Sequence, residues 1–171
     1  MNSPREAVLA RLEEMGIPYR TAVHPPAATM EACARVDGEL GALTPKNLFL
    51  APRRHQCYYL CLVRPQIRLN TSDISHRIGS PRLSFAPEEA LWARLRCHGG
   101  SASPLGLIFP QAEGVRLILD EGLRQVPVLG FHPCDNTHTL AMATRDFLEI
   151  FLPGTGVAPQ WIDFNTTEHI E

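Results

Sequence analysis

The fold is decided by residues 46–63, which read KNLFLAPRRHQCYYLCLV. Lys46–Ala51 starts with two polar residues and continues as a short apolar run, a pattern that predicts a strand. Pro52–His55 is a polar turn. Gln56–Val63 is then nearly continuous in apolar residues, as expected of a central strand buried on both faces. The two strands are therefore predicted to form a hairpin, with Lys46 at the mouth of the first strand.

The composition is that of an ordinary soluble globular chain. With 171 residues the chain is long enough to bury a substantial core, and one domain is expected. Hydrophobic residues make up 44% and charged residues 20% of the sequence. The formal net charge of −2 argues against a protein that holds nucleic acid mainly by neutralising phosphates, since such proteins are usually basic. It permits a brief, localised contact with RNA.

The cysteines and histidines predict neither disulfides nor a metal site. The five cysteines are odd in number and contain no C-x-x-C pair, so we expect thiols, mostly buried, in a reducing compartment. The seven histidines do not fall into a metal-ligand spacing, so no metal is expected. The chain opens without a charged-then-apolar leader and contains no 18-residue apolar run. We therefore expect a cytoplasmic protein without a membrane partner.

Capping and turn signals divide the chain into short elements. The predicted helices are Pro4–Met15, Thr29–Val36, Asn70–Ile78, Pro87–Leu95 and Thr144–Phe151, the last capped by Thr144. The further predicted strands are Tyr19–His24, Arg82–Phe85, Leu107–Phe109, Val115–Leu119, Val126–Phe131 and Thr137–Met142. Strands outnumber helices without a regular βαβ alternation, so the fold class is α/β in the mixed α+β sense. We expect a single domain with a central mixed, largely antiparallel sheet surrounded by helices.

The boundaries of the domain follow from the same signals. Asp37-Gly38 is expected to break the second helix. The domain is expected to span residues 1–152. Residues 153–171 are then an irregular C-terminal tail of unknown role, in which Trp161 and Phe164 could act as anchors.

Lys46 admits two interpretations. Its stem could lie along apolar surface with the ammonium group in water. Alternatively, the ammonium could be a fixed cation where the strand opens into a pocket, facing an anionic group or the charge that develops on a carbonyl oxygen. The strand pattern by itself does not decide between them.

Residues 100–104, which read GSASP, form a loop of small residues between a glycine and a proline. Small side chains let a backbone approach a ligand closely and turn its N–H groups inward, so the loop could hold an oxyanion or a carboxyl ester. The alternative is a plain turn before the strand predicted at Leu107–Phe109.

Residues 131–137, which read FHPCDNT, place a histidine between an apolar strand and a proline-fixed turn. His132 could transfer a proton, hydrogen-bond a ligand or brace the loop, or it could satisfy backbone groups at the strand end. Asn136 and Thr137 are expected to tie the turn together. Cys134 is not supported as a nucleophile, because a thiolate needs an activating base at a suitable angle.

Taken together and in this order, three motifs resemble those of the YbaK/prolyl-tRNA-synthetase-associated editing domain family. They are the Lys-Asn pair that opens the strand at residue 46, the G-x-x-x-P loop at 100–104 and the F-H-P-x-x-N-T turn at 131–137. RLSFA at 82–86, before a Pro-Glu-Glu helix start, is also typical. Within the family the chain is most similar to the free-standing deacylases that clear alanine from tRNA(Pro), called ProXp-ala or PrdX. The resemblance covers roughly residues 3–152.

The resemblance implies the YbaK-type fold and an enzyme that hydrolyses the aminoacyl ester of a mischarged tRNA. The substrate that it implies is alanyl-tRNA(Pro), and it implies no cofactor. The catalytic residues that it implies are Lys46, Gly100 and His132. The substrate-binding residues that it implies are Asn47, Ser101, Ala102, Ser103, Pro104 and Asn136. The loop amides would hold the ester carbonyl. Lys46 would hold the terminal phosphate or the ribose, or stabilise a developing charge. His132 would orient the substrate or the loop. A pocket that excludes proline by size would give the selectivity.

The expected partner is the acceptor end of mischarged tRNA, with transient contact to prolyl-tRNA synthetase. Three alternatives stay open: a deacylase for cysteinyl- or seryl-tRNA, a non-catalytic paralogue that binds tRNA or a synthetase, and an enzyme for a small free ester or amide. Six arginines in the middle of the chain either are solvated or bind acceptor-stem phosphates. They are Arg53, Arg54, Arg64, Arg68, Arg77 and Arg82.

Overall fold

A computed structural model describes residues 2–26 and 30–164, the side chain of Met30 excepted. The strands are β1 (Arg20–Val23), β2 (Lys46–Pro52), β3 (Tyr59–Val63), β4 (Leu83–Phe85), β5 (Arg116–Asp120), β6 (Val128–Phe131), β7 (His138–Ala143) and β8 (Gln160–Ile162). The longer helices are α1 (Pro4–Glu14), α2 (Met30–Leu40), α3 (Thr71–Ile78) and α4 (Glu88–Leu95). Three 3-10 helices lie at Pro104–Ile108, Pro110–Ala112 and Glu121–Gln125, and a last helical run comprises Thr144–Asp146, a π turn at Phe147–Phe151 and Leu152–Thr155.

The predicted hairpin is the centre of a five-stranded mixed sheet. β2 and β3 pair antiparallel, with Lys46 opposite Val63. β4 continues the sheet antiparallel beside β2, while β5 and then β8 continue it parallel beside β3, giving the order β4-β2-β3-β5-β8. Every residue of β3 is buried. Its alternate side chains enter different hydrophobic clusters, Leu60 and Leu62 on one face and Cys61 on the other. The prediction of a strand buried on both faces is therefore confirmed.

A second sheet of three antiparallel strands, in the order β1-β7-β6, lies beside the first. A parallel bridge between Leu43 and Leu129 joins the two sheets, with the amide of Leu43 3.0 Å from the carbonyl oxygen of Val128 and the amide of Gly130 2.9 Å from that of Leu43. The predicted mixed α/β class is confirmed, although two linked sheets replace the single central sheet that was expected. The bridge brings the start of β2 next to β6.

Helix ends follow the capping signals in two cases. The Ser3 hydroxyl accepts the amide hydrogen of Glu6 at the start of α1, and Asn70 and Asp73 form a reciprocal capping box at the start of α3. The prediction of a break at Asp37-Gly38 is wrong, because α2 continues to Leu40. A glycine costs a helix only about 1 kcal/mol, and the buried contacts of Leu40 offset that cost. The expected cap at Thr29 lies outside the described residues.

Two other predictions differ from the structure. Leu107–Phe109 is not a strand, because Ser103 and Pro104 start a 3-10 helix that extends to Ile108. Thr144 does not cap the last helical run, since its backbone is already helical and its buried hydroxyl has no partner among the described residues.

The C-terminal tail also differs from the irregular segment that was expected. Residues 160–162 form β8, which pairs parallel with β5. Trp161 packs against one hydrophobic cluster and Phe164 is buried in the other. The guanidinium of Arg124 stacks on the Trp161 ring at 3.6 Å. Within the described ranges, no helix is long and apolar enough to cross a membrane.

Candidate functional site

A cavity of about 290 Å³ lies where the two sheets meet. It is lined by Cys33, Ala34, Asp37, Thr44, Pro45, Lys46, Asn47, Pro65, Gly100, Ala102 and His132. The three residues that the sequence motifs single out, Lys46, Gly100 and His132, all border this one cavity. Its volume is at the lower limit of small-molecule sites, so it has room for a small acyl group and not for a whole nucleotide.

The fold explains how distant segments meet here. Lys46 opens β2, and His132 follows directly after β6, whose Leu129 bridges to the segment before β2. Gly100 lies in the loop after α4, and Gly106 in the following 3-10 helix is pressed against the backbone of Leu95, so a side chain at position 106 would overlap the Leu95 carbonyl. The 98–104 loop is therefore fixed against α4.

Lys46 is the only lysine in the chain, all other basic residues being arginine. Its side chain is half-buried, and its ammonium nitrogen donates a hydrogen bond to the carbonyl oxygen of Ile67 at 3.0 Å. An ammonium has three hydrogens, so two donors stay available beyond this bond. The ammonium is therefore anchored to the backbone, and Lys46 lines the cavity.

The 98–104 loop presents two unpaired backbone donors. The amide and hydroxyl of Ser101 both donate to the carbonyl oxygen of His98 at 3.0 Å, which closes a tight turn. Gly100 adopts a left-handed φ of 85°, a conformation that disfavours any residue with a side chain. In the part of the chain that the structure describes, the amides of Gly100 and Ala102 donate to no protein acceptor. Both residues line the cavity, and unpaired amides in such a turn can bind an anion.

His132 is held as a neutral imidazole with one free nitrogen. Its Nδ1 lies 2.9 Å from the carbonyl oxygen of His138, and a carbonyl only accepts, so the proton is on Nδ1. Burial lowers the pKa of His132 below its usual value, and the nearby His24 lowers it further. The hydrogen bond to His138 and the carboxylates of Asp37 and Asp135 oppose this effect. Nε2 therefore carries a lone pair and has no partner among the described residues.

The turn after His132 is held by Asp135. Its carboxylate accepts from the Arg5 guanidinium of α1, from the Thr137 amide at 2.8 Å and from the Thr137 hydroxyl at 2.6 Å. Partial burial raises the pKa of Asp135, but the hydrogen bonds from Thr137 and the charge of Arg5 outweigh it and lower the pKa to about 2. This network fixes the carbonyl of His138, and through it the ring of His132.

Cys134 is unsuited to nucleophilic chemistry. A hydrogen bond with Cys97, together with burial, raises the pKa of the Cys134 thiol well above its usual value. The thiolate, which is the reactive form, is therefore disfavoured. Cys134 also has a positive φ of 58°, so its position shapes the turn.

The predicted substrate-binding residues fall into two groups. Asn47 and Ala102 line the cavity. The Asn47 amide nitrogen donates to the carbonyl oxygen of Pro45 at 3.1 Å, and its side-chain oxygen is buried without a partner in the described chain. The residues that do not line the cavity are Ser101, Ser103, Pro104 and Asn136.

These four residues shape the loops around the cavity. The Ser103 hydroxyl is buried and accepts the amide hydrogen of Leu105 at 3.1 Å, while Pro104 begins the 3-10 helix. The Asn136 amide lies outside the cavity against Gly100, 3.8 Å from where a side chain would start there.

Sequence reasoning missed the wall that α2 contributes. Cys33, Ala34 and Asp37 are three and four residues apart, so they share one helix face, and that face lines the cavity. The sequence contains a signal for this wall, namely the small residues Cys33 and Ala34 followed by the acidic Asp37 at helical spacing. The sequence instead predicts a helix end at Asp37-Gly38, which separates Asp37 from that face.

The structure shows which of the arginines in the middle of the chain are exposed and could contact phosphates. Arg64 forms an ion pair with the buried Asp120 carboxylate at 2.7 Å, so it is not available to phosphate. Arg53, Arg54, Arg68 and Arg82 are exposed. Within the described residues, no group of three His, Cys, Asp or Glu side chains is arranged to hold a metal ion.

Sequence comparisons place the chain among proteins of tRNA editing. Residues 24–150 match the family model of the aminoacyl-tRNA editing domain. The prolyl-tRNA editing protein ProX of Acetoanaerobium sticklandii is 30% identical over 146 residues, which cover 85% of this chain and 89% of the relative. The prolyl-tRNA synthetase associated domain-containing protein 1 of Xenopus laevis is 32% identical over 165 residues, covering 94% of this chain and 97% of the relative.

Structural comparisons agree on the fold. A crystal structure described as a candidate trans-editing enzyme for prolyl-tRNA synthetase superposes with a TM-score of 0.71 and 21% sequence identity, covering 95% of this chain and 97% of the other. The crystal structure of hypothetical protein APE2540 gives a TM-score of 0.67 with 18% identity, covering 91% and 97% of the two chains.

Proposed function

This chain belongs to the aminoacyl-tRNA editing domain family, and we propose that its cavity hydrolyses the aminoacyl ester of mischarged tRNA(Pro), with alanine as the preferred amino acid. One observation carries the proposal: the residues that hold two unpaired amides, an anchored ammonium and a free imidazole nitrogen all line the same small cavity. The prolyl-tRNA editing protein among the relatives supports tRNA(Pro) as the carrier.

The proposed reaction is a simple ester hydrolysis. The oxygen of a water molecule attacks the carbonyl carbon, and the carbonyl oxygen becomes an oxyanion that the amides of Gly100 and Ala102 stabilise. The bond between the carbonyl carbon and the ribose oxygen then breaks. The proton lost by the attacking water passes to that ribose oxygen, which leaves free tRNA and the amino acid. No cofactor is required.

Lys46 supplies positive charge at the edge of the cavity. Its ammonium, fixed by the bond to Ile67, is suited to the terminal phosphate or ribose, or to the charge that develops on the ester. It is also unusual in this chain, in which arginine fills every other basic position. A compact ammonium fits a narrow site better than a planar guanidinium does.

His132 supplies an acceptor. Its Nε2 lone pair can accept a hydrogen bond from the neighbouring ribose hydroxyl, which then helps to position and activate the attacking water. Because the pKa of His132 is lowered, the imidazole is in this accepting form at neutral pH. His132 thereby orients the substrate, and no separate protein base is needed.

The wall of small residues suits a small amino acid. Cys33, Ala34 and Ala102 line the cavity beside Pro45 and Pro65, whose rings are rigid. A methyl side chain would fit against this wall, and a proline ring would meet the two fixed rings. Exclusion of a larger side chain is the direction in which a size filter works well.

The proposal is tested by single-turnover deacylation of tRNA(Pro) charged with alanine, cysteine, serine or proline. We expect hydrolysis to be fastest with alanine and near the uncatalysed rate with proline. Faster hydrolysis of the cysteinyl or seryl ester would show that this ester, and not the alanyl ester, is the preferred substrate. Hydrolysis of none of the four esters, with tRNA still bound, would instead identify a non-catalytic binding protein.

A further inference from the structure

We infer that Asp37 forms a binding site for the α-ammonium group of the aminoacyl ester, so that the cavity selects esters of amino acids with a free α-amino group. This inference rests on the proposed function, because it concerns the same cavity and the same ester. It adds a substrate requirement that neither the sequence motifs nor the size of the cavity contains.

Among the described residues, the Asp37 carboxylate forms no ion pair. It lines the cavity beside Cys33 and Ala34. In the part of the chain that the structure describes, no lysine, arginine or histidine forms an ion pair with it. Lys46, the cation of the same cavity, is turned to the carbonyl oxygen of Ile67. A carboxylate that borders a cavity without a counter-charge can bind a cationic ligand through a charge-assisted hydrogen bond.

The carboxylate is also held in a fixed orientation. Its two oxygens accept separately from Thr44, one from the backbone amide at 2.8 Å and the other from the hydroxyl at 2.6 Å. Gly130 on β6 leaves room for this pair, since a side chain there would overlap the Thr44 hydroxyl and lie 3.5 Å from a carboxylate oxygen. Each oxygen keeps a further lone pair, so the carboxylate can accept from a ligand without losing Thr44.

An aminoacyl ester matches this arrangement of charges. Its ammonium and its ester carbonyl are bonded to the same α-carbon, so a site for one must lie close to a site for the other. The unpaired amides of Gly100 and Ala102 border the same cavity as Asp37 and suit the carbonyl oxygen. An ammonium donating to Asp37 would form a charge-assisted hydrogen bond, which is stronger than a neutral one. An N-acylated or α-hydroxy ester would leave the carboxylate without its partner.

The test compares two esters on the same tRNA, alanyl-tRNA(Pro) and lactyl-tRNA(Pro), in which a hydroxyl replaces the ammonium. Single-turnover rates are measured for the wild type, for Asp37→Asn and for Glu39→Gln. Glu39 is exposed on α2 and does not line the cavity, so it is the matched control for loss of one carboxylate. The ratio of the two rates is the readout. Any loss of folded protein lowers both rates equally and cancels in this ratio.

We expect the wild type and Glu39→Gln to prefer the alanyl ester, and Asp37→Asn to lose about tenfold to hundredfold with the alanyl ester and little with the lactyl ester. Equal losses with both esters would show that Asp37 only holds the cavity together, and would overturn the inference. A wild type that hydrolyses both esters equally well would overturn it too, while leaving the deacylase proposal intact. A wild type that hydrolyses neither ester would overturn both.

Discussion

At the scale of single residues, the chemistry proposed for this protein needs few side chains, and each is restrained by a neighbour. The ammonium of Lys46 is bound to the Ile67 carbonyl, and the imidazole of His132 is bound to the His138 carbonyl. Gly100 contributes backbone alone, in a conformation that other residues seldom adopt. Positioned groups of this kind lose little orientation entropy when the substrate arrives, which is where most of their catalytic value lies.

The adjacent glycines of the loop give a matched pair of variants. Gly100→Ala must hold a side chain at a φ of 85°, so we expect about 1–2 kcal/mol of backbone strain and a displaced pair of amides. The deacylation rate should then fall about tenfold to hundredfold. Gly99→Ala is the control, because residue 99 has no positive φ and its nearest neighbour would lie at 3.9 Å. Equal single-turnover rates for the two variants would contradict the role given to the Gly100 amide.

The lowered pKa of His132 predicts a pH dependence with a definite sign. Protonation of Nε2 removes the acceptor, so kcat/KM for deacylation should be constant near neutral pH and should fall at low pH. Because the pKa of His132 is lowered, the midpoint should lie below about 6.5. The measurement is the pH profile of single-turnover rates after subtraction of the uncatalysed hydrolysis.

The control for this profile is His132→Asn, whose amide nitrogen can replace Nδ1 as a donor to the His138 carbonyl while Nε2 is lost. We expect this variant to fold normally and to be slow at every pH. A midpoint above 6.5 in the wild type, or an unchanged profile in the variant, would be incompatible with an accepting Nε2.

At the scale of elements, the turn between β6 and β7 is tied to α1. Arg5 reaches from the first turn of α1 to Asp135, which also holds Thr137. The sequence motif identified this turn as a unit, but it gave no sign that α1 braces it. Contacts of this kind, 130 residues apart, depend on packing and are invisible to local patterns.

Asp135 should make the fold sensitive to acid. Its pKa is about 2 in the folded protein and 3.8 ordinarily, so the stability that it contributes is complete above about pH 4 and is lost as the pH falls toward 2. We expect Asp135→Asn to lower the free energy of unfolding at pH 7 by about 1–2 kcal/mol, since the side chain is 24% exposed and solvent screens part of the effect. Urea denaturation at pH 7 and near pH 3 measures the difference.

The control is Glu149→Gln, which removes an exposed carboxylate paired with Arg145 and should leave the free energy of unfolding close to that of the wild type. A difference between wild type and Asp135→Asn that grew as the pH fell would contradict the assigned direction of the pKa.

The elements that sequence reasoning placed correctly are those whose signals are local. The hairpin of β2 and β3 follows from one apolar run on each side of a polar turn, and α3 follows from its capping box. β8 was missed because three residues, Gln160–Ile162, are too short to show a periodicity. Asp37 was missed for two reasons: Asp37-Gly38 predicts a helix end, and the partner Thr44 comes from the next loop, so that only the tertiary fold puts both residues against the cavity.

At the scale of the whole molecule, one buried ion pair joins β3 to β5 across the parallel part of the large sheet. Asp120 is fully buried and accepts from the amide and the guanidinium of Arg64, and also from the amide of Gly122. The guanidinium occupies the space that a side chain at position 122 would need. The parallel pairing of β3 with β5, the glycine at position 122 and the ion pair between Arg64 and Asp120 therefore depend on one another.

Removing one partner should be costly. In Asp120→Ala the Arg64 guanidinium, which is 14% exposed, loses its counter-charge, and we expect a loss of about 3–5 kcal/mol in the free energy of unfolding. Glu121→Ala removes the neighbouring carboxylate from an exposed pair with Arg124 and should cost at most about 1 kcal/mol. Urea denaturation of the two variants gives both values. A similar loss in the two would mean that the buried pair contributes no more than a surface pair.

The meeting of Lys46, Gly100 and His132 at one cavity is also a property of the whole molecule. Each of the three motifs leaves a structural role open when taken alone, and only the family resemblance that they carry together implies Lys46, Gly100 and His132 as catalytic residues. The sequence motifs do not predict the bridge between Leu43 and Leu129, which links the two sheets and brings the start of β2 close to the end of β6.

The most direct test is the single-turnover rate of alanyl-tRNA(Pro) hydrolysis by wild type, Lys46→Ala and Arg68→Ala, with thermal unfolding recorded for each. Arg68 is an exposed cation beside Ile67 that does not line the cavity, and the protein is used in saturating excess so that a weaker contact with tRNA phosphates does not change the rate. We expect Lys46→Ala to lose activity by about a hundredfold or more without a change in folding, and Arg68→Ala to stay close to wild type. Wild-type hydrolysis by a folded Lys46→Ala would contradict the assignment of this cavity as the site of the reaction.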